Sequence, residues 1–146
     1  MLKVVLVYPQ IPPNTGNIAR TCAATKTPLH LVEPLGFEIS DRTLKRAGLD
    51  YWEYVDLHRH ASLAELAQIS GRWVCFSKQG DYHFREFQYR QDDCLLFGSE
   101  TNGLPPEVLA RHPSVYIPIE QPMVRSFNLS VSVAIGLFEA RRQLMP

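Results

Sequence analysis

The chain has 146 residues, 45% apolar and 21% charged, which is the size and composition of one ordinary globular domain. At that length folding removes roughly 68–70% of the unfolded surface, enough for a core without disulfide or metal staples. Fifteen Lys and Arg against fifteen Asp and Glu give a formal charge of zero, so a global electrostatic grip on nucleic acid is excluded. Any RNA site must be a local patch, or one assembled by an oligomer.

No apolar run approaches the ~20 residues that span a bilayer. The opening MLKVVLVYPQIPP carries only Lys3 ahead of a short apolar stretch and lacks a small-residue cleavage site. It is expected as a first core strand and not a signal peptide, in a soluble cytoplasmic protein. Cys22, Cys75 and Cys94 are odd in number, far apart and set among apolar or small residues. They are expected as reduced core thiols. The five histidines form no HExxH, and no cysteine pair has zinc spacing, so no metal is expected.

Apolar β-rich runs alternate with helical segments, the sequence form of an α/β domain with a mostly parallel sheet flanked by helices. The first strand is expected over Leu2–Tyr8, nearly continuous in Val and Leu as when both faces are covered. Past Pro9, Pro12 and Pro13, a helix is expected to start near Asn14 or Thr15, either of which can cap it. Its buried stripe is Ile18, Ala19, Cys22 and Ala23. Leu29–Glu33 is the second expected strand. Ser40 can cap a short basic helix carrying Arg42, Lys45 and Arg46 and ending at Gly48.

Tyr51–Leu57 is expected as a short strand. Ser62 and Glu65 make a capping box for a helix through Ile69, stopped by Gly71. Strands follow over Arg72–Ser77 and Cys94–Gly98. Pro105 and Pro106 open a helix through Arg111. Val115–Pro118 is the last expected strand and Asn128 to about Leu144 the last helix. Without a repeat, low-complexity tract or composition break, residues 1–146 make one domain.

The glycines, at 16, 36, 48, 71, 80, 98, 103 and 136, exclude much chemistry, because no two are separated by a single residue. A GxGxxG dinucleotide loop is impossible, and GxxxxGK[ST] and GxSxG are absent. An enzyme built on this chain needs another kind of cofactor cradle.

Three segments exceed what packing requires. In Pro12–Arg20, polar Asn14, Thr15 and Asn17 surround Gly16 at a strand-to-helix junction, where free N–H groups favour anions. Arg20 falls one turn beyond Asn17 on the same side. In Leu95–Leu104 a buried strand runs into Gly98 and then a polar loop, and ligands in α/β sheets bind at the carboxyl ends of strands. In Tyr116–Ile135 an irregular stretch leads through Arg125, Ser126 and Asn128 into a helix rich in serine and small residues.

Together PPNTGNIAR, FGSETNGL and RSFNLSVSVAI, in that order and spacing, resemble the three motifs of the SpoU branch of the SPOUT RNA methyltransferases. The resemblance covers the whole chain, including EPLGFEISDRTLKRAGLDYW. It is nearest to the small members that methylate the ribose of the tRNA wobble nucleotide. The resemblance implies an α/β fold with a deep C-terminal trefoil knot, a homodimer with the active site at its interface, and a tRNA substrate. It implies S-adenosylmethionine (AdoMet) as the methyl donor, S-adenosylhomocysteine as product, no metal, and neither DNA nor membrane as partner.

By position within the motifs, Phe76, Gly98, Glu100, Gly103, Ile117 and Ser126 are the expected cofactor residues. Arg20, Asn17, Asn128 and Ser130 are the expected catalytic group. Arg20 is expected to act electrostatically, since a charged guanidinium has no acceptor and titrates above ~12. Lys3, Asn14, Arg42, Lys45, Arg46 and Arg125 are the expected RNA contacts, with Arg141 and Arg142 as further phosphate candidates. Tyr51, Trp52 and Tyr54 could stack on exposed bases. The chain departs from the family at Phe138, where relatives carry a tyrosine, so the ring is kept and a hydroxyl donor is lost. The alternatives are the same reaction at another tRNA site or on ribosomal RNA, or an AdoMet- or RNA-binding module without turnover.

Overall fold

The structure is a computed structural model that describes residues 1–40, 42, 46 and 51–145. Among the described residues the strands are β1 (Lys3–Val7), β2 (Leu29–Val32), β3 (Leu57–His60), β4 (Trp73–Phe76), β5 (Tyr82–His83), β6 (Cys94–Phe97) and β7 (Ser114–Tyr116). They form one sheet in the order β3-β2-β1-β6-β4-β7-β5, and every pairing is parallel. Helices bounded within the described residues are α1 (Pro12–Ala24), α2 (Leu63–Leu66), α3 (Pro106–Arg111) and α4 (Leu129–Leu144).

The sheet is covered on both sides, which is why Val4–Val7 of β1 and all of β6 are apolar on consecutive residues. Val4 and Leu6 face α1 and α4, joining Ile18, Cys22, Val133 and Leu137 in the larger core. Val5 and Val7 face the other way, with Leu66 of α2 and Val108 of α3. Each fully buried aliphatic side chain contributes roughly 1.5–3 kcal/mol, so this double face supplies most of the fold's stability. All three cysteines are free and buried, and burial pushes the Cys22 and Cys75 thiols up to about 12. They are inert core groups, as expected.

Several local expectations are corrected. Helix α1 starts at Pro12, with Ile11 at its N-cap, because Pro12 and Pro13 fit a first turn that needs no N–H. Asn14 and Thr15 lie inside the helix and do not cap it. Ala23 is only half-buried. Tyr51–Leu57 is not a strand. Trp52–Tyr54 forms a single 3-10 turn, and β3 follows at Leu57–His60. β5 also escaped the sequence pattern, being two residues long. Ser62 caps α2 by accepting from the Glu65 N–H, but regular helix ends at Leu66 and tighter turns reach Ile69. The basic helix expected from Ser40 to Gly48, Lys45 included, falls mostly outside the described residues.

Two features of the sheet matter for the site. The strand order reverses between β1 and β6, so their carboxyl ends open a crevice. β7 also lies between β4 and β5, which are joined only by Ser77–Asp81. Parallel neighbours ordinarily need a crossover of about a dozen residues or more. Here the short connection passes directly over β7. A Cβ on Gly80 would lie 2.3 Å from the Val115 carbonyl carbon, so only glycine fits there.

At the other edge His30 of β2 stacks between His58 and His60, with ring centroids 4.5 and 5.1 Å away. His30 Nδ1 and His60 Nε2 share a hydrogen bond of 2.8 Å. Burial first, then the neighbouring rings, pushes His30 down to about 4, and burial lowers His60 as well. Both are neutral in the fold, whereas the unfolded chain takes up protons near the ordinary histidine pKa of about 6.5. Stability present above that value is therefore lost as pH falls through about 4. Tm is expected to drop by roughly 5 °C between pH 7 and pH 5. His30→Val should flatten that dependence in a series of thermal melts.

Candidate active site

The three sequence segments meet at the carboxyl edge of the sheet, and one carboxylate brings them together. β1 is followed by Tyr8, whose φ of 58° is strained for a bulky side chain and turns the chain into Pro9. Gln10 and Ile11 then present their N–H groups just ahead of α1. Glu100, on the loop after β6, accepts from both: Gln10 N–H to Oε1 and Ile11 N–H to Oε2, each 2.9 Å. The Asn14 side-chain amide donates to the same Oε2 at 3.2 Å. A carboxylate is favoured at the positive end of a helix, so Glu100 takes the anion role that the sequence leaves open for a ligand.

The chain of bonds continues into the third segment. Asn14 Oδ1 accepts from the Asn128 side-chain amide at 3.1 Å. Asn128 caps α4, its Oδ1 accepting from the Ser130 N–H at 2.9 Å and from Ser130 Oγ at 2.6 Å. Glu100, Asn14, Asn128 and Ser130 thus form one continuous hydrogen-bonded row across all three motifs. Thr101 adds a tie back to the Gln10 side chain at 2.9 Å.

The loop holding Glu100 is closed on itself. Gly103 N–H donates to the Ser99 carbonyl at 3.0 Å, and Asn102 N–H to Ser99 Oγ at 3.0 Å. A Cβ on Gly98 would lie 2.0 Å from the Gly103 carbonyl carbon, so larger residues there break the loop before they fill any ligand site. Gly103 sits at φ 67° with open space beside it, the left-handed conformation that glycine adopts at least cost. A cavity of about 660 Å³ opens on this loop, lined by Tyr8, Gln10, Gly36, Ser99, Asn102 and Gly103 among others.

Of the expected cofactor residues, Phe76 ends β4, Gly98, Glu100 and Gly103 follow β6 and Ile117 follows β7, three adjacent strands, while Ser126 lies on the segment before α4. Gly98 is buried, and among the described residues no main-chain hydrogen bond engages Gly98 or Ile117. Unpaired main-chain donors and acceptors at such positions are available to a ligand's polar edge. Phe76 is different: its ring stacks on Phe97 at 4.5 Å and fills the space over Gly136, where a Cβ would meet it at 2.5 Å. That ring belongs to the core, leaving only its main chain toward the edge. Ile117 is half-buried against the core, and Ser126 is exposed.

The other expected site residues separate into groups. Asn17 and Arg20 are exposed on α1, and the Arg20 guanidinium carbon lies over the Tyr51 ring, 4.8 Å from its centroid. Arg42, Arg46 and Arg125 are exposed. Lys3 is at the amino end of β1, the opposite end of the sheet, paired with Asp92 at 3.0 Å and donating to the Ser70 carbonyl. It therefore stands apart from the other expected RNA contacts. Asn14 is buried in the hydrogen-bonded row, so it holds the site together and does not face solvent. Arg142 is paired with Glu139, and Arg141 donates to the Thr25 carbonyl. Of the three aromatics, Trp52 packs on the core, Tyr51 carries Arg20 and Tyr54 is exposed. Sequence reading missed Gln10 as a partner of Glu100 and Tyr51 as a partner of Arg20, since no local pattern marks contacts between distant segments.

Glu100→Gln is expected to place an amide against one of the two main-chain N–H groups. A stability loss of about 2 kcal/mol should follow, measurable by denaturant titration. An unchanged midpoint would mean that the row is not a structural tie.

The comparisons with known proteins agree with this geometry. The model of the SpoU rRNA methylase family matches residues 1–138. A tRNA (cytidine(34)-2'-O)-methyltransferase from Burkholderia ambifaria is 46% identical, over 98% of this chain and 96% of its own. A solved structure described as giving insights into the 2-OH methylation of C/U34 on tRNA is 51% identical, with a TM-score of 0.94, over 99% of this chain and 96% of that one. An AdoMet-bound rRNA methyltransferase from Sinorhizobium meliloti is 26% identical, with a TM-score of 0.86, over 99% of this chain but 57% of its own. By sequence along nearly its entire length, the chain belongs to the SpoU rRNA methylase family.

Proposed function

We propose that this protein transfers a methyl group from AdoMet to the ribose 2′-hydroxyl of the wobble nucleotide, cytidine or a modified uridine, in tRNA anticodon loops. The observation that carries the reading is the row from Glu100 through Asn14 and Asn128 to Ser130, which fixes the family's three motifs around one edge of the sheet. The full-length likeness to a cytidine-34 enzyme points to the wobble position. A tRNA substrate in turn implies a cytoplasmic enzyme, and no helix among the described residues is long and apolar enough to cross a membrane.

When bound, AdoMet supplies an activated methyl on its sulfonium, transferable in a single in-line displacement. The residues here that would hold it are Gly98, Gly103 and Ile117 through their main chains, with Ser126 on the segment leading into α4. β7 passing beneath Ser77–Asp81 supports the trefoil knot that the resemblance implies, and such threading would keep these loops rigid. The chain itself must place the ribose and ease the loss of its proton. Positioning of this kind contributes roughly 7–11 kcal/mol in well-oriented reactions. Arg20 supplies a fixed positive charge for the developing alkoxide or for the adjoining phosphate. Asn128 and Ser130 supply polar groups already aligned by their mutual bonds.

Within one protomer Arg20 lies six residues beyond Asn14, about 9 Å further along α1. A partner that brings Arg20 to the other protomer's loops completes the site. We place that homodimer contact on α4 and the segment before it. Val131 and Phe138 are exposed apolar side chains on that helix, and Phe127, Met123 at 85% and Val124 at 49% exposure add to them from the segment before it. Phe138 there acts as apolar packing surface, so the missing hydroxyl does not disturb this role. Exposed Arg20, Arg42, Arg46 and Arg125 supply the local positive patch for the tRNA backbone, and pairing two protomers doubles it.

The test is methyl transfer from labelled AdoMet to tRNA lacking wobble ribose methylation, with nucleoside mapping of the product. A 2′-O-methyl mark at the wobble position supports the reading, and its absence with AdoMet bound overturns it. Arg20→Ala is expected to keep AdoMet affinity by calorimetry while turnover falls by at least about a hundredfold. Phe138→Lys should shift the protein from dimer to monomer in light scattering and abolish methylation with it.

A further inference from the structure

Arg20 is a long, exposed side chain that must be held without its donors being occupied. Among the described residues, no hydrogen bond or ion pair engages its guanidinium, and its one described partner is the face of Tyr51. An acidic partner would take up the planar N–H fork and cancel its charge. An aromatic ring attracts the cation yet offers no in-plane acceptor, so the N–H donors stay available.

The turn that follows Tyr51 is itself well supported. Tyr51 opens the 3-10 turn Trp52–Tyr54, and its carbonyl accepts from the Tyr54 N–H at 2.9 Å. The Val55 N–H bonds the Trp52 carbonyl at 3.2 Å, closing the turn. Trp52 and Val55 pack on the core face that α1 also covers, so the turn and the helix share one foundation. Tyr54, on the same turn, is 68% exposed, and the Arg20 cation lies over the Tyr51 ring, which separates the two tyrosines by role.

We propose that Tyr51 is a positioning residue for Arg20: its ring holds the guanidinium in place, with the N–H edge free for the ribose and phosphate of the RNA. This rests on the reading of Arg20 as the catalytic cation. It assigns Tyr51 to the organisation of the enzyme and not to stacking on a base.

The experiment compares Tyr51→Leu and Tyr51→Phe in methylation of tRNA, alongside the Arg20 side-chain Nε signal in the protein without RNA. Tyr51→Leu should lower kcat about two- to fivefold, the size of an exposed cation–π contact, with KM for tRNA and AdoMet affinity nearly unaltered. Tyr51→Phe, which keeps the ring, should restore most of the rate. The Arg20 Nε–H should show restricted motion in the wild type and in Tyr51→Phe, and free motion in Tyr51→Leu. Equal loss in the Phe and Leu variants would assign the effect to the hydroxyl and overturn the proposal. A rise in KM for tRNA at constant kcat would do the same, by assigning Tyr51 to base stacking. Because the Arg20 signal is read without substrate, it remains decisive for the contact even if the wobble nucleotide proves not to be the target.

Discussion

The carboxylate of Glu100 is the constraint on which the site depends. Helix α1 begins with two prolines and lacks a side-chain cap of its own, so the chain entering it has N–H groups without helical partners. Glu100 arrives from a loop some ninety residues later and satisfies Gln10 and Ile11 together. Once that carboxylate is in place, Asn14 is oriented, Asn128 is oriented by Asn14, and the start of α4 follows. Three loops that could each move alone become one body.

The sheet explains why these loops meet. Strands β1, β6, β4 and β7 are neighbours and parallel, so their carboxyl ends all discharge onto one edge. The core beneath is closed by the stacked rings of Phe76 and Phe97 and by the close approach of Gly136. Ligand contact at that edge is thereby left to main-chain groups and loop side chains. A glycine at 98 serves closure of the Glu100 loop first, and any opening to a ligand follows from that closure.

Much of this was legible in the sequence where burial is two-sided. The runs of β1, β2, β4 and β6 stood out because nearly every residue is buried. β3 did not, since an edge strand carrying His58, Arg59 and His60 has no apolar signature, and its histidines make sense only once stacked on His30. The turn at Trp52–Tyr54 imitated a strand through its aromatics, which serve packing and Arg20 instead. Motif residues were legible as a set, whereas their division of labour was not. Asn14 and Glu100 look like ligand contacts in a linear reading and prove to be ties between segments, while Lys3 pairs at the far end of the sheet. Pairing across ninety residues leaves no trace in local spacing.

The claim that these ties act as one unit is tested most directly by a double-mutant cycle between Glu100→Gln and Asn128→Ala, read as AdoMet affinity by calorimetry. Among the described residues no hydrogen bond joins the two directly, and Asn14 bonds to both. A continuous row predicts that the second substitution costs much less affinity once the first is made, with a coupling of at least about 0.5 kcal/mol. Strict additivity of the two losses would contradict it and return the three motifs to the status of independent loops.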